Sequence, residues 1–129
     1  MDTTSSRPDR LIVIADRTPG FHQTCSAEIG WWLPIIGPTS TVLAVTLAHS
    51  AAAREAVWDT MMLARTIGLG GSRSRLWASL DRSEQFGCAR FEATDILTIR
   101  LHLPVLNVAL QRQLPDHLAA AYPQMDNTQ

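Results

Sequence analysis

Lysine is absent from the sequence, and all eleven basic residues are arginine. Twelve acidic residues balance them, so the formal net charge is -1. A protein that coats nucleic acid, or that binds a membrane through basic clusters, normally has an excess of positive charge. The composition argues against both classes, and any contact with nucleic acid must come from a local patch of arginines.

Cysteine is also scarce, since Cys25 and Cys88 are the only two and neither belongs to a CxxC unit. The pattern therefore shows no disulfide framework. The first ten residues, MDTTSSRPDR, lack the basic start and the apolar run of a secretory signal peptide. Together these absences predict a cytoplasmic protein with free thiols.

Charged residues are missing from residues 29 to 53, a stretch long enough to span a bilayer. Pro34, Pro38, His49 and several hydroxyl side chains make it too polar and too broken for a continuous helix facing lipid. We therefore interpret the stretch as buried core and expect no membrane partner.

Motifs for metal binding and catalysis are incomplete. His22 and Cys25 have the spacing H-x2-C, but no second compact pair completes a zinc pattern. There is no glycine-rich phosphate loop, no nucleophile elbow and no recognisable pair of catalytic carboxylates. We expect no metal, no cofactor and no enzymatic activity.

The length and composition fit one domain, because 129 residues with 46% hydrophobic content can bury a single core. We place this domain at residues 10 to 122, between polar ends at 1 to 9 and 123 to 129 that are predicted to be flexible. Residues 10 to 17, RLIVIADR, form a short apolar run that is compatible with a strand or with a short helix.

Two helices are predicted in the middle of the chain. The first covers residues 38 to 53, with Pro38 in its first turn, where a missing N–H costs little. The second runs from about residue 54 to residue 67 and ends at the glycines of the sequence GLGG.

A third helix is predicted to follow Ser72, whose hydroxyl can accept an N–H of the first turn. Leu76, Leu80 and Ser83 share one face of this helix, and Gly87 is a natural C-terminal stop. Residues 88 to 103 then read as strand, turn and strand. Polar and apolar residues alternate between its two faces, with Ile96, Thr98, Arg100 and His102 opposite Leu97, Ile99, Leu101 and Leu103.

Three helices, a glycine-containing turn and a hairpin, in this order, resemble the winged helix-turn-helix DNA-binding proteins. The residues that carry the resemblance are Leu63, Ala64, Ile67, Gly68, Leu69, Ser72, Leu76, Leu80, Phe86 and Gly87. The chain also resembles small winged-helix proteins of high-GC bacteria. The resemblance covers about residues 38 to 103 and implies a mainly α fold: a three-helix core, a small β-hairpin wing and flanking N- and C-terminal elements.

The resemblance implies sequence-specific binding to double-stranded DNA by a transcriptional regulator. The helix at 72 to 86 would be the recognition helix and the hairpin at 88 to 103 the wing. A homodimer is expected, with RLIVIADR at 10 to 17 and the apolar tail from residue 106 as candidate dimerisation elements.

The candidate DNA-binding residues lie on this helix and wing: Ser72, Arg73, Ser74, Arg75, Arg82, Gln85, Arg90, Thr94 and Arg100. With Leu76 as the inward direction, a step of 100° per residue points Ser74, Asp81 and Gln85 outward. An arginine at the start of the helix can pair with guanine, and polar side chains along it can reach base edges.

An alternative interpretation is a winged helix that binds proteins and not DNA. In this case Trp77 would be an anchor in the interface, together with the apolar tail. A separate interpretation is a solvated helix face without a partner, on which Arg75 and Arg82 form ion pairs with Asp81 or Glu84. The sequence leaves open whether Trp77 is such an anchor or covers the edge of the core.

Overall fold

A computed structural model describes residues 7 to 123, so residues 1 to 6 and 124 to 129, most of the ends predicted to be flexible at 1 to 9 and 123 to 129, lie outside the described residues. The N-terminal half contains β1 (Arg10–Asp16), β2 (His22–Gln23), a 3-10 helix (Ala27–Trp31), α1 (Leu33–Ile36), α2 (Pro38–Ala51) and β3 (Ala56–Asp59). The C-terminal half contains α3 (Thr60–Thr66), α4 (Arg73–Gln85), β4 (Ala89–Ala93), β5 (Ile96–Arg100), β6 (His102–Leu103), α5 (Val108–Gln111) and α6 (Asp116–Ala121).

The architecture is α+β, with a four-stranded sheet in the order β3-β1-β5-β4 and a small two-stranded sheet of β2 and β6. The expectation of a mainly α fold with only a hairpin was wrong. Strand β1 lies between β3 and the hairpin, antiparallel to β3 and parallel to β5. These pairings join distant segments, and periodicity along the chain does not reveal them.

Strand β1 resolves the ambiguity of RLIVIADR. Leu11 and Val13 are fully buried, whereas Ile12 is partly exposed and Ile14 is exposed. This alternation is the period of two of a strand with one buried face. Helices α2 and α4 pack on the buried side of the sheet.

The predicted helix from 54 to 67 was wrong in its first half. Residues Ala56–Asp59 form strand β3, because they pair with β1, and only Thr60–Thr66 are helical. The change occurs at Asp59, whose carboxylate accepts the N–H of Met62 at 2.9 Å and so caps α3.

The first predicted helix and the third helix are confirmed, and the hairpin is confirmed over β4 and β5; its predicted last residues, His102–Leu103, instead form β6 and pair with β2. Helix α4 begins after Ser72, and Gly87, with φ 79°, follows its end. Leu76, Leu80 and Ser83 are buried as expected. Strands β4 and β5 are antiparallel, and Leu97 and Ile99 face the core.

Leu106, Leu114 and Tyr122 of the C-terminal segment are buried, and Tyr122 contacts His22 of β2. The uncharged stretch from 29 to 53 supplies core residues, among them Trp32 and Leu43. Among residues 7 to 123, no helix is both long and apolar enough to cross a membrane.

Candidate nucleic-acid interface

Helix α4 has a polar outer face opposite its buried leucines. Ser74, Arg75, Ala78 and Gln85 are exposed on it. The hydroxyl of Ser72 accepts the N–H of Arg75 at 3.4 Å, which holds the first turn. This face is therefore formed by short or flexible polar side chains on a rigid helix, with a small residue at its centre.

Asp81, the first acid on this face, is engaged by a residue from the N-terminal segment. Its two carboxylate oxygens accept from Arg7, at 3.3 Å and 2.8 Å. The guanidinium carbon of Arg7 also lies 4.7 Å from the ring centroid of Trp77. Arg7 was not among the predicted site residues, and no local signal could have found it, because it lies 74 residues from Asp81.

Glu84, the second acid, is also engaged within the chain. Its carboxylate accepts the N–H of Phe91 at 2.8 Å. This N–H belongs to β4, an edge strand, so Glu84 covers part of the edge of the sheet. The expected ion pairs of Arg75 and Arg82 with Asp81 or Glu84 are thus not those that the structure forms.

Arg82 is held by α1. Its Nε and Nη2 donate to the carbonyl oxygens of Ile36 and Ile35, at 2.8 Å and 2.9 Å. The guanidinium also lies 5.2 Å from the ring of Phe86. Because these carbonyls end a helix and have no partner within it, Arg82 joins α4 to α1.

Arg73 is held by the segment before β1. Its Nη2 donates to the carbonyl oxygens of Pro8 and Arg7, at 2.8 Å and 3.3 Å, and its Nη1 lies 3.3 Å from Asp9. Residues 7 to 9, which the sequence placed in a flexible end, are therefore bound beside the first turn of α4.

The wing residues divide between two surfaces. Thr94 is exposed at the hairpin turn. Arg90 is in register with Thr98, and Arg100 with Asp16, on the face of the sheet that points away from α4. Arg90 also forms an ion pair with Glu92 at 2.7 Å. The structure does not bring Arg90 and Arg100 onto the face of α4.

Trp77 belongs to the core. It is 3% exposed and stacks on Phe91, with ring centroids 5.8 Å apart. Of the two interpretations that the sequence left open, the structure supports the core one, because so little of the indole is exposed and both Phe91 and Arg7 lie against its ring.

His22 and Cys25, the H-x2-C pair, have separate contacts. The Nε2 of buried His22 lies 2.7 Å from Tyr122 Oη, whereas the thiol of Cys25 donates to the Val45 carbonyl at 3.8 Å. No group of three potential metal ligands occurs within the described part of the chain. Burial raises the pKa of the Cys88 thiol to about 12.

Ser72 and Ser74 provide a test of which predicted residues are structural. Ser72→Ala is expected to lower the free energy of unfolding by about 1 kcal/mol, because the N-cap hydrogen bond is lost. Ser74→Ala is the matched control and should be neutral or stabilising by up to about 0.5 kcal/mol, because alanine favours helix. Urea unfolding measures both, and equal losses would contradict the assignment of Ser72 as the cap.

Comparisons with known proteins identify a shared fold. No protein-family model matches the chain, and no curated protein matches it. The structure is similar to the crystal structure of primosome protein DnaB (residues 1–300) from Geobacillus stearothermophilus, with a TM-score of 0.55 and 18% identity. The two proteins share a fold. The similarity covers 93% of this chain and 53% of the DnaB chain, so the chain spans about half the length of that structure.

Proposed function

We propose that this chain is a winged-helix domain that binds double-stranded DNA sequence-specifically, as part of a transcriptional regulator. The order α2, β3, α3, α4, β4 and β5 fits a three-helix core with a wing, to which β1 adds a central strand. In this proposal α4 enters the major groove and the hairpin lies along the backbone beside it.

One observation carries the proposal: the exposed guanidinium of Arg75 has no partner among residues 7 to 123, whereas Asp81 on the same helix is already paired with Arg7. Asp81 and Glu84 are engaged by Arg7 and by the Phe91 N–H. Arg75 is exposed, and its guanidinium makes no hydrogen bond to another residue between 7 and 123. A free guanidinium on a helix held by its cap is suited to bidentate pairing with guanine O6 and N7.

Within the proposal the predicted residues have different roles. Arg75 contacts a base, and Ser74 and Gln85 contact base edges from the same face. Thr94 contacts phosphate at the tip of the wing. Ser72, Arg73 and Arg82 act by fixing the position of α4, since their side chains are bound within the chain. Arg90 and Arg100 have no role in the groove.

The test is binding to mixed genomic duplex fragments, measured by fluorescence anisotropy over a salt series. We expect Arg75→Ala to weaken binding by about 5- to 100-fold and to reduce the salt slope by about 1. Arg75→Lys should retain the dependence of affinity on salt but lose sequence preference, because an ammonium group cannot form the bidentate hydrogen bonds that a guanidinium forms with guanine. Arg75 is preferred to Arg73, whose removal would also release residues 7 to 9.

Arg54→Ala is the matched control. Arg54 is exposed and precedes β3, at the opposite edge of the sheet from β4. Its removal changes the net charge equally and should alter affinity less than about twofold. If wild-type binding is insensitive to salt, or if the two alanine variants lose affinity equally, the DNA proposal is wrong. The protein-interaction alternative, now without Trp77 as an anchor, would then be favoured.

A further inference from the structure

The face of the four-stranded sheet that points away from α2 and α4 carries an apolar row. We call it the outer face. Three residues in register across the strands form the row, Val57 on β3, Ile12 on β1 and Ile96 on β5, and Ala93 on β4 lies opposite Ile96 after a β-bulge. Val57 is 58% exposed, and the adjacent Ile14 is 36% exposed. A row of this kind across a whole sheet is unusual on a surface exposed to water.

Charged residues follow the apolar row towards the carboxyl ends of β1 and β5. Asp16 and Arg100 are side by side in register, and Arg90 lies on the neighbouring strand. Hydrogen bonds from Thr18 and the nearby Arg100 and Arg90 lower the pKa of Asp16. The outer face therefore has an apolar centre and, beyond it, adjacent charges of opposite sign on its two central strands.

We propose that the outer face binds a second copy of this chain through a two-fold axis parallel to the strands, between β1 and β5. These two strands are adjacent and parallel. Rotation about this axis places β1 of one copy over β5 of the other at the same height. Ile12 then faces Ile96 of the second copy, and Asp16 faces Arg100 of the second copy.

The charge distribution identifies a second copy as the occupant. In a two-fold interface each contact occurs twice with the roles exchanged, so the face must be complementary to itself. The axis exchanges Asp16 with Arg100 and one apolar position with another. A second copy therefore supplies an opposite charge for Asp16 and Arg100 and an apolar side chain for the apolar row, so no different partner is required.

The dimer is expected to be weak and independent of DNA binding. Four strands about 4.8 Å apart give a face only about 19 Å wide, and small interfaces of this kind are typical of weak or transient association. Helix α4 lies on the other side of the sheet and stays accessible in the dimer.

Sedimentation of the full chain over a concentration series tests the inference. Ile14→Lys should weaken dimerisation by about tenfold or more, because it places a charge in the apolar interface. Val108→Lys is the matched control, because Val108 is 65% exposed on α5, away from the outer face. Its substitution should change the dissociation constant of the dimer by less than about twofold. Circular dichroism verifies folding of each variant.

A charge-exchange experiment separates contacts between copies from contacts within one chain. Asp16→Arg alone places like charges against each other in its own dimer, and so does Arg100→Asp alone. An equimolar mixture of the two variants restores opposite charges only between different chains. We expect each variant to dimerise about tenfold more weakly than wild type and the mixture to recover to within about threefold.

Three results would overturn the inference. They are a wild-type chain that stays monomeric up to about 500 μM, equal effects of the Ile14 and Val108 variants, and a mixture that associates no better than its components. None of these results depends on whether the chain binds DNA.

Discussion

Replacing Trp77 by alanine is expected to lower the free energy of unfolding by about 3–5 kcal/mol, the largest effect that we predict. The indole is 3% exposed and packs against Phe91 and Arg7. Truncation leaves a cavity between α4 and the hairpin and removes the surface on which Arg7 lies. Since small domains are stable by only about 5–15 kcal/mol, the variant should unfold at much lower urea concentrations.

Trp77→Phe is the matched control. The indole Nε1 is buried without a hydrogen-bond partner in the described residues, so phenylalanine removes no satisfied donor and retains most of the apolar contact. A loss below about 1.5 kcal/mol is expected for this variant. If Trp77→Ala lost less than about 1 kcal/mol, Trp77 would not be a core residue, and its role as an interface anchor would return.

Tyr122→Phe is expected to have the second-largest effect, a loss of about 2–3 kcal/mol. The hydroxyl of Tyr122 accepts the N–H of Leu106 at 2.7 Å and lies 2.7 Å from Nε2 of His22. All three residues are buried. Phenylalanine would leave a buried backbone donor and a buried imidazole nitrogen with one partner fewer, without a gain in packing. Urea unfolding measures the loss.

A double-mutant cycle isolates the contact between His22 and Tyr122. If the two side chains share one hydrogen bond, His22→Phe together with Tyr122→Phe should cost less than the sum of the single changes, by about 0.5–1 kcal/mol or more. Additive losses would show that the two residues stabilise the fold separately. The contact matters for the architecture because it joins β2 to the end of α6, two segments 100 residues apart.

The predictions that the structure confirms depended on local signals. Helix α4 was placed correctly because Ser72 and Gly87 mark its two ends, and a cap or a left-handed glycine acts within one turn. The two strands of the hairpin were placed correctly as far as Arg100 because their alternation has one buried face, whereas the pairing of His102–Leu103 with β2 had no local signal. The predicted helix over residues 54 to 67 was wrong at Ala56–Asp59 because strand β3 depends on pairing with β1, which lies more than forty residues earlier.

The candidate site shows the same division. The exposed positions of Ser74, Asp81 and Gln85 followed from helical periodicity alone. Periodicity did not predict which arginines have guanidinium groups free to bind a ligand. Arg73 and Arg82 are bound to the backbone of distant segments, and these hydrogen bonds have no sequence pattern because any residue supplies a carbonyl oxygen.

The sequence by itself determined the helix that begins after Ser72, the hairpin that follows Gly87 and the side of each that faces the core. Only the tertiary structure decided that β1 completes a four-stranded sheet, that Arg7 engages Asp81, and that Arg90 and Arg100 lie away from α4. The physical reason is the separation along the chain over which each interaction acts. Caps and periodicity act between neighbours in the chain, whereas strand pairing and ion pairs between distant residues exist only after the core has brought the segments together.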